Sequence, residues 1–336
     1  MDRRLRISLA FGEAEGDPKE IQDSVILADK LGFEGTWLAD HFMPWIHSQN
    51  QSPFVWSLMA SCLERTDRIK IGPLVTTPVG GRYHPALIAQ ASATLDNMYK
   101  GRFRLAVGTG EAINEAHFPL GWPPFQDRMG RLVESVALIR KLWQSGDYFD
   151  FEGDYFPMRQ VFLYTKPRQI PPIYFSSLGP KSAFYAGKFG DHLLTQIVNV
   201  NSVRNNLQSC KTKIFPSFEA GAKAAGKDPS KMEKAVVISL AFSKRDPYLA
   251  SARKYAWLNT KGTLDESDPR KIERIDSSSV TDEDLLDYIF LCSNWDQAVD
   301  VLAKLQEMGI SEVAIYMGKR HETMKNFSKK VLPHFR

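Results

Sequence analysis

The stretch LADHFMPWIHSQN (38–50) sets an Asp, two His and a Trp directly behind an apolar run. Imidazole is the side chain whose ordinary pKa lies nearest neutrality, so His41 suits taking a proton from an alcohol. A lone His after a strand is more often a structural hydrogen-bonding group. Its place beside Asp40, four residues before Trp45 and with Glu111 at another strand end, weighs toward chemistry. Trp45 could cap a barrel, or wall off a pocket and offer one donor N–H. Glu111 sits in GTGEAINE (108–115), where Gly108 and Gly110 permit close backbone approach to a ligand. No G-K-[ST] follows, and the turn's acidic residues would repel phosphate, so this is not a phosphate loop. A carboxylate there is a proton donor or acceptor, or a partner for a polar ring edge. His47 and His84 lie outside the strand-end register and read as structural or rim residues.

The elements that must position these groups recur along the chain. Apolar runs at 5–11, 34–39, 68–75, 102–108, 172–177, 192–197, 235–242 and 312–317 alternate with amphipathic stretches whose apolar residues return every three or four positions. Such runs, separated by helices, suit a closed parallel barrel, whose strands are buried on both faces. The competing doubly wound sheet should carry G-x-G-x-x-G after its first strand, and GEAEGDP lacks that spacing. The reading is therefore a (β/α)8 TIM barrel over 1–336, with a hairpin insertion at about 148–172 and a helical and loop insertion at about 251–284. In such a barrel the site lies at the C-terminal strand ends. Those ends add Thr76 and Thr77, the SSLGP turn from Ser176, and Thr195 with Gln196 as substrate-side groups.

Composition sets the outer limits. The 336 residues are 43% hydrophobic and 24% charged, as in a soluble globular protein, with no apolar run long enough to span a bilayer. MDRRLRISLAFG lacks the apolar core and cleavage site of a signal peptide, so a cytoplasmic location is expected. Cys62, Cys210 and Cys292 are far apart and odd in number, which argues for reduced thiols. A net charge of +4, spread among acidic residues, gives no nucleic-acid footprint and still suits an anionic cofactor. Metal-hydrolase spacings and a G-x-S-x-G elbow are both missing from the sequence.

DHFMPW after the second run, TTPVGGRYHPALIAQASATLDNMYKGRFRLAVGTGEAINE across the third and fourth, and YFSSLGPKSAFYAGKFGDHL resemble the luciferase-like barrel superfamily. Within it the chain is most similar to the coenzyme F420-dependent dehydrogenases. The resemblance implies a deazaflavin coenzyme, F420, contacted by Asp40 and lined by Leu74, Val75, Thr77, Gly108, Asn114, Ser176, Leu178 and Gly179. It implies His41 as the proton-transferring group, Trp45 as the aromatic over the substrate and Glu111 as the second acid or base. It also implies a non-prolyl cis peptide at Leu74–Val75 and pairing as a homodimer, for which the helix at 52–63 could supply a face; an ordinary buried barrel helix is the default. The sugar-phosphate dehydrogenases of the group carry basic residues for the phosphate. Here the corresponding regions read TQIVNVNS and DLLDYIFL, with Tyr288 near the expected Arg and Lys261 displaced. FLYTKP, YFSSLGPK and GDHLLT look more like the archaeal F420-dependent secondary alcohol dehydrogenase. The expected substrate is accordingly a small secondary alcohol or ketone. The rival readings are a methylene-tetrahydromethanopterin reductase, a sugar-phosphate dehydrogenase and a non-catalytic barrel that binds a flavin-like ligand.

Overall fold

The computed structural model describes residues 4–12, 16–197, 207–260, 262–287, 289–317 and 321–336, with the side chains of 258 and 259 left aside. Lys261, Tyr288 and the whole VNVNS stretch (198–202) lie outside the described residues.

Eight parallel strands form the barrel: β1 (Arg6–Phe11), β2 (Gly35–Ala39), β3 (Lys70–Leu74), β4 (Leu105–Val107), β7 (Ile173–Ser176), β8 (His192–Gln196), β9 (Lys234–Phe242) and β11 (Glu312–Tyr316). Between β4 and β7, β5 (Phe149–Phe151) and β6 (Met158–Val161) make a separate antiparallel hairpin inside the expected insertion. β10 (Phe290–Cys292) pairs in parallel with the far end of β9 and was not foreseen. The barrel strands run in the order β3-β2-β1-β11-β9-β8-β7-β4. Two bridges between the β3 and β4 segments, Ile71 to Phe103 and Thr76 to Val107, join the ends of that order. Each of the eight apolar runs read from the sequence supplies one barrel strand.

Local signals account for the helices between them. α1 (Pro18–Leu31) starts with the Asp17 side chain accepting from the Glu20 N–H and stops at Gly32, whose φ of 89° is left-handed. α3 (Pro85–Tyr99) is capped by His84, which accepts from the Ala86 N–H, so that His is structural as expected. α2 (Val55–Glu64) buries Val55, Trp56, Leu58, Met59, Cys62 and Leu63 in the core of its own chain, so those apolar side chains are already used within the protomer.

Strand residues alternate between two environments, as pleated strands require. One set, with Leu193, Val236, Ile238, Val313 and Ile315, packs against the helices. The other set, Ala10, Trp37, Ala106, Tyr174, Leu194, Ala235, Val237 and Ala314, fills the lumen. Near the N-terminal strand ends lies a buried charge cluster. Arg104 Nη1 donates to both Glu312 oxygens at 2.8 and 2.7 Å, and the Ser8 hydroxyl and the Trp37 indole donate to Oε1 at 2.6 and 2.9 Å. Toward the opposite end the lumen finishes in half-buried Leu74, Val75 and Tyr316.

Candidate active site

β2 runs out at Ala39, and the next two residues are held by backbone contacts. Arg82 Nη2 donates to the Asp40 carbonyl at 2.9 Å, and the Ser52 hydroxyl donates to the His41 carbonyl at 3.0 Å. Beyond β4, Glu111 precedes a single helical turn, α4 (Ala112–Glu115). His41 Nε2 lies 3.3 Å from Glu111 Oε2. Buried Asn114 ties the two loops: it accepts from the Phe42 N–H at 2.9 Å, and its Nδ2 donates to Glu111 Oε2 at 3.4 Å. The Trp45 ring centroid stands 5.5 Å from that of His41. The imidazole, the indole and the carboxylate therefore meet at one end of the barrel.

Behind them lies a buried cluster that the sequence reading missed. The Tyr83 hydroxyl donates to Asp40 Oδ1 at 3.0 Å, and Arg82 Nη2 sits 3.0 Å from the same oxygen. Glu115 is almost wholly buried and accepts from the Arg82 N–H at 3.3 Å. Burial pushes the Glu115 carboxyl up to about 7, Arg82 draws it back, and Asp40 and Glu111 push it further up. Burial also raises the Asp40 carboxyl, against the pull of Arg82. Asp40, read as a coenzyme contact, is thus a buried carboxylate engaged by Arg82 and Tyr83 behind His41. The signals were present: Glu115 stands four residues after Glu111, and Arg82-Tyr83 follows a Gly-Gly pair.

The glycines of the GTGEAINE turn are closely packed. A Cβ at Gly108 would meet Val75 Cγ2 at 2.6 Å, and one at Gly110, where φ is +79°, would meet Glu115 Cγ and Thr77 Cγ2 at 2.8 Å. Close approach at these positions is made by the protein's own side chains, so the space beside Gly108 belongs to Val75. The Leu74–Val75 peptide is cis, as the resemblance implied. Thr77 is buried against Gly110, and half-buried Ser176 ends β7 beside Gly108. The turn into the helix Pro180–Phe189 is clamped by the Ser177 and Ser182 hydroxyls, which donate to the Gly179 carbonyl at 2.9 and 3.0 Å. On that turn Leu178 is 55% exposed, and nothing lies within 4 Å of a Cβ built at Gly179.

Thr195 and Gln196 are parted by strand alternation. Leu194 lies in the lumen, whereas Leu193 and Ile197 pack toward the helices. Gln196 therefore shares the lumen side and is half-buried, while Thr195 is buried on the helix side. Of the two, Gln196 is the one that strand alternation turns toward the lumen.

The second insertion closes over these loops. Trp257, Ile272, Ile46 and Ile113 form a buried apolar cluster, with Met43, Trp45 and Ile275 packed against it. The Trp257 and Trp45 rings are 5.7 Å apart. Polar ties join the same parts: the Ser48 N–H donates to Glu273 Oε2 at 3.3 Å, and the Trp122 indole donates to Asp265 Oδ1 at 3.2 Å. The insertion is docked on both the loop bearing His41 and the region following Glu111.

Comparison with known proteins bears on what this arrangement serves. Residues 6–312 match the family described as luciferase-like monooxygenase. The chain belongs to the luciferase-like monooxygenase family. Over 344 residues, spanning 100% of this chain and 99% of the relative, it is 30% identical to the F420-dependent glucose-6-phosphate dehydrogenase of Gordonia bronchialis. A solved F420-dependent secondary alcohol dehydrogenase, in complex with an F420-acetone adduct, superposes with a TM-score of 0.89 at 32% identity, covering 99% of each chain. The coenzyme F420-dependent tetrahydromethanopterin reductase of Methanopyrus kandleri shares the fold, with a TM-score of 0.77 at 20% identity over 99% of this chain and 100% of that one. This luciferase-like protein is an F420-dependent oxidoreductase built on a (β/α)8 barrel. The residues present fit a large flat heterocycle: half-buried Leu74, Val75 and Tyr316 finish the lumen, and exposed Leu178 with open ground at Gly179 continues the same end. Among the described residues, no helix is long and apolar enough to cross a membrane.

Proposed function

We propose that this luciferase-like oxidoreductase transfers a hydride reversibly between a small secondary alcohol, or its ketone, and coenzyme F420. The observation that carries the reading is the meeting of His41, Glu111 and Trp45, with Trp45 packed on the apolar cluster of Ile46, Ile113, Trp257 and Ile272. An apolar cluster beside the indole suits a short uncharged substrate. When bound, the coenzyme supplies a hydride acceptor or donor at C5 of its deazaflavin ring. Leu74, Val75, Thr77, Asn114, Ser176, Leu178 and Gly179 would border it.

In the oxidation direction His41 accepts the hydroxyl proton. A positioned general base contributes ~100- to 10,000-fold. Glu111 holds the proton that the reduced coenzyme would take up; once it has given that proton up, its carboxylate, with Oε2 3.3 Å from His41 Nε2, pairs with the imidazolium. The Trp45 indole N–H orients the substrate oxygen, and Gln196 lines the lumen beneath. The alcohol dehydrogenase at 32% identity, solved with an F420-acetone adduct, supports this choice of substrate. Relatives named as glucose-6-phosphate dehydrogenases favour a second reading, a sugar phosphate, which would need cations to hold the phosphate. A homodimer belongs to the same proposal, with sedimentation as its check.

The test is coenzyme reduction by the purified protein with isopropanol, secondary butanol or glucose 6-phosphate. Turnover with the alcohols at a kcat/KM at least ~100-fold above that with the sugar phosphate supports the reading. The reverse order overturns the alcohol and leaves the coenzyme assignment standing.

A further inference from the structure

Arg82, in the connection from β3 to α3, holds two loops at once. Its Nη2 donates to the Asp40 carbonyl at 2.9 Å and lies 3.0 Å from Asp40 Oδ1, while its Nε is 3.9 Å from Glu115 Oε1 and its backbone N–H donates to Glu115 Oε2 at 3.3 Å. The side chains of Arg82, Asp40 and Glu115 are only 7%, 1% and 1% exposed. Asp40 immediately precedes His41, and Glu115 lies one helical turn beyond Glu111. The two groups that face each other at the mouth are thus each attached to one end of a single buried ion cluster.

The backbone is shaped around it. A Cβ at Gly81 would come within 2.9 Å of Glu115 Oε2, and one at Gly110 within 2.8 Å of Glu115 Cγ. Burying two carboxylates against one guanidinium is a poor way to gain stability, because desolvation offsets the Coulomb attraction and apolar residues of equal volume often do better. Positioning accounts for what stability does not.

We infer that Arg82 and Glu115 are positioning residues for the reaction: through Asp40 they fix the end of β2 that carries His41 against the turn that carries Glu111, and so set the His41–Glu111 spacing and its charge. The inference rests on the His41–Glu111 pair being the proton-handling pair of the proposed function. The charged and titratable groups around Glu115 are Arg82 and Tyr83 from the β3 to α3 connection, Asp40 from the end of β2, and Glu111 on its own turn. With its carboxyl pushed up to about 7, Glu115 changes charge in the neutral range. Its ionisation adds negative charge to a cluster that adjoins the His41 ring and favours the imidazolium.

Two variants test this. Glu115→Gln keeps the size and an acceptor for the Arg82 N–H; Arg82→Lys keeps the charge and loses the fork that reaches both partners. In Glu115→Gln, the His41 ring titration, followed by NMR in the coenzyme-free protein, is expected to move down by about half a pH unit, with exposed His47 unmoved. In both variants kcat is expected to fall by ~10-fold with KM and coenzyme affinity within ~2-fold. A His41 titration in Glu115→Gln that superimposes on the wild type overturns the inference, as does activity lost only in proportion to folded protein. The NMR result needs no substrate, so it stands or falls separately from the choice of alcohol.

Discussion

Asn114 is the link between His41 and Glu111, since its amide accepts from the Phe42 N–H at 2.9 Å and donates to Glu111 Oε2 at 3.4 Å. The loops that carry the pair leave β2 and β4, with β3 between them in the barrel. Their 3.3 Å approach therefore depends on a side-chain bridge as well as on the strands. Replacing Asn114 by Ala removes both contacts. The expected result is a ~10- to 100-fold loss in kcat, measured at saturating coenzyme, with the folded state retained in circular dichroism.

His41→Ala should lower kcat by ~100- to 10,000-fold, the worth of a positioned general base. Coenzyme affinity, read from absorbance titration, should stay within ~3-fold. Loss of binding together with normal turnover at saturation would refute the proton-transfer role.

Stability should peak near pH 5. Arg104 and Arg6, with the Ser8 hydroxyl, overcome burial and hold the Glu312 carboxyl at about 2, below its ordinary 4.5. A depressed carboxylate stabilises the fold above the unfolded pKa, and that contribution is lost as pH falls from about 4.5 through about 2. Glu115 acts in the opposite sense. Its raised carboxyl favours the fold below about 4.5, and this is lost as pH rises through about 7. Each contribution is on the order of 3 kcal/mol. Thermal unfolding against pH checks both: Glu115→Gln should flatten the decline above pH 5, and Glu312→Gln should cost roughly 3–5 kcal/mol by leaving Arg104 buried without its partner.

Trp257→Ala opens the apolar cluster where the Trp257 and Trp45 rings lie 5.7 Å apart. Under the proposed function, kcat/KM for longer secondary alcohols should rise relative to isopropanol by ~10-fold or more, since each methylene accommodated is worth about 1–3 kcal/mol. An unchanged ranking over a chain-length series would show that the cluster does not bound the substrate.

Much of this protein was legible as pattern. Eight apolar runs became the barrel strands because strands buried on both faces must be apolar throughout, and that constraint is local. DHFMPW and GTGEAINE bring His41, Trp45 and Glu111 to one end of the barrel, since residues just past a barrel strand have only that end to occupy. What stayed hidden depends on partners distant in sequence. Whether Thr195 or Gln196 faces the lumen turns on a one-residue register, which β8 alone does not declare and which the packing of Leu193, Leu194 and Ile197 decides. Gly108 and Gly110 looked like ligand contacts, yet the atoms that demand glycine there belong to Val75, Thr77 and Glu115.

The direction of the Asp40 carboxylate, the insertion of Arg82 between Asp40 and Glu115, and the seating of Trp257 over Trp45 were likewise settled only by folding. The sequence by itself determined the eight barrel strands and which residues follow each of them, because hydrophobic periodicity is written in neighbouring residues. The tertiary structure alone decided which charges meet and which glycines are obligatory, because Coulomb attraction, desolvation and steric exclusion act between atoms that only the closed barrel brings together.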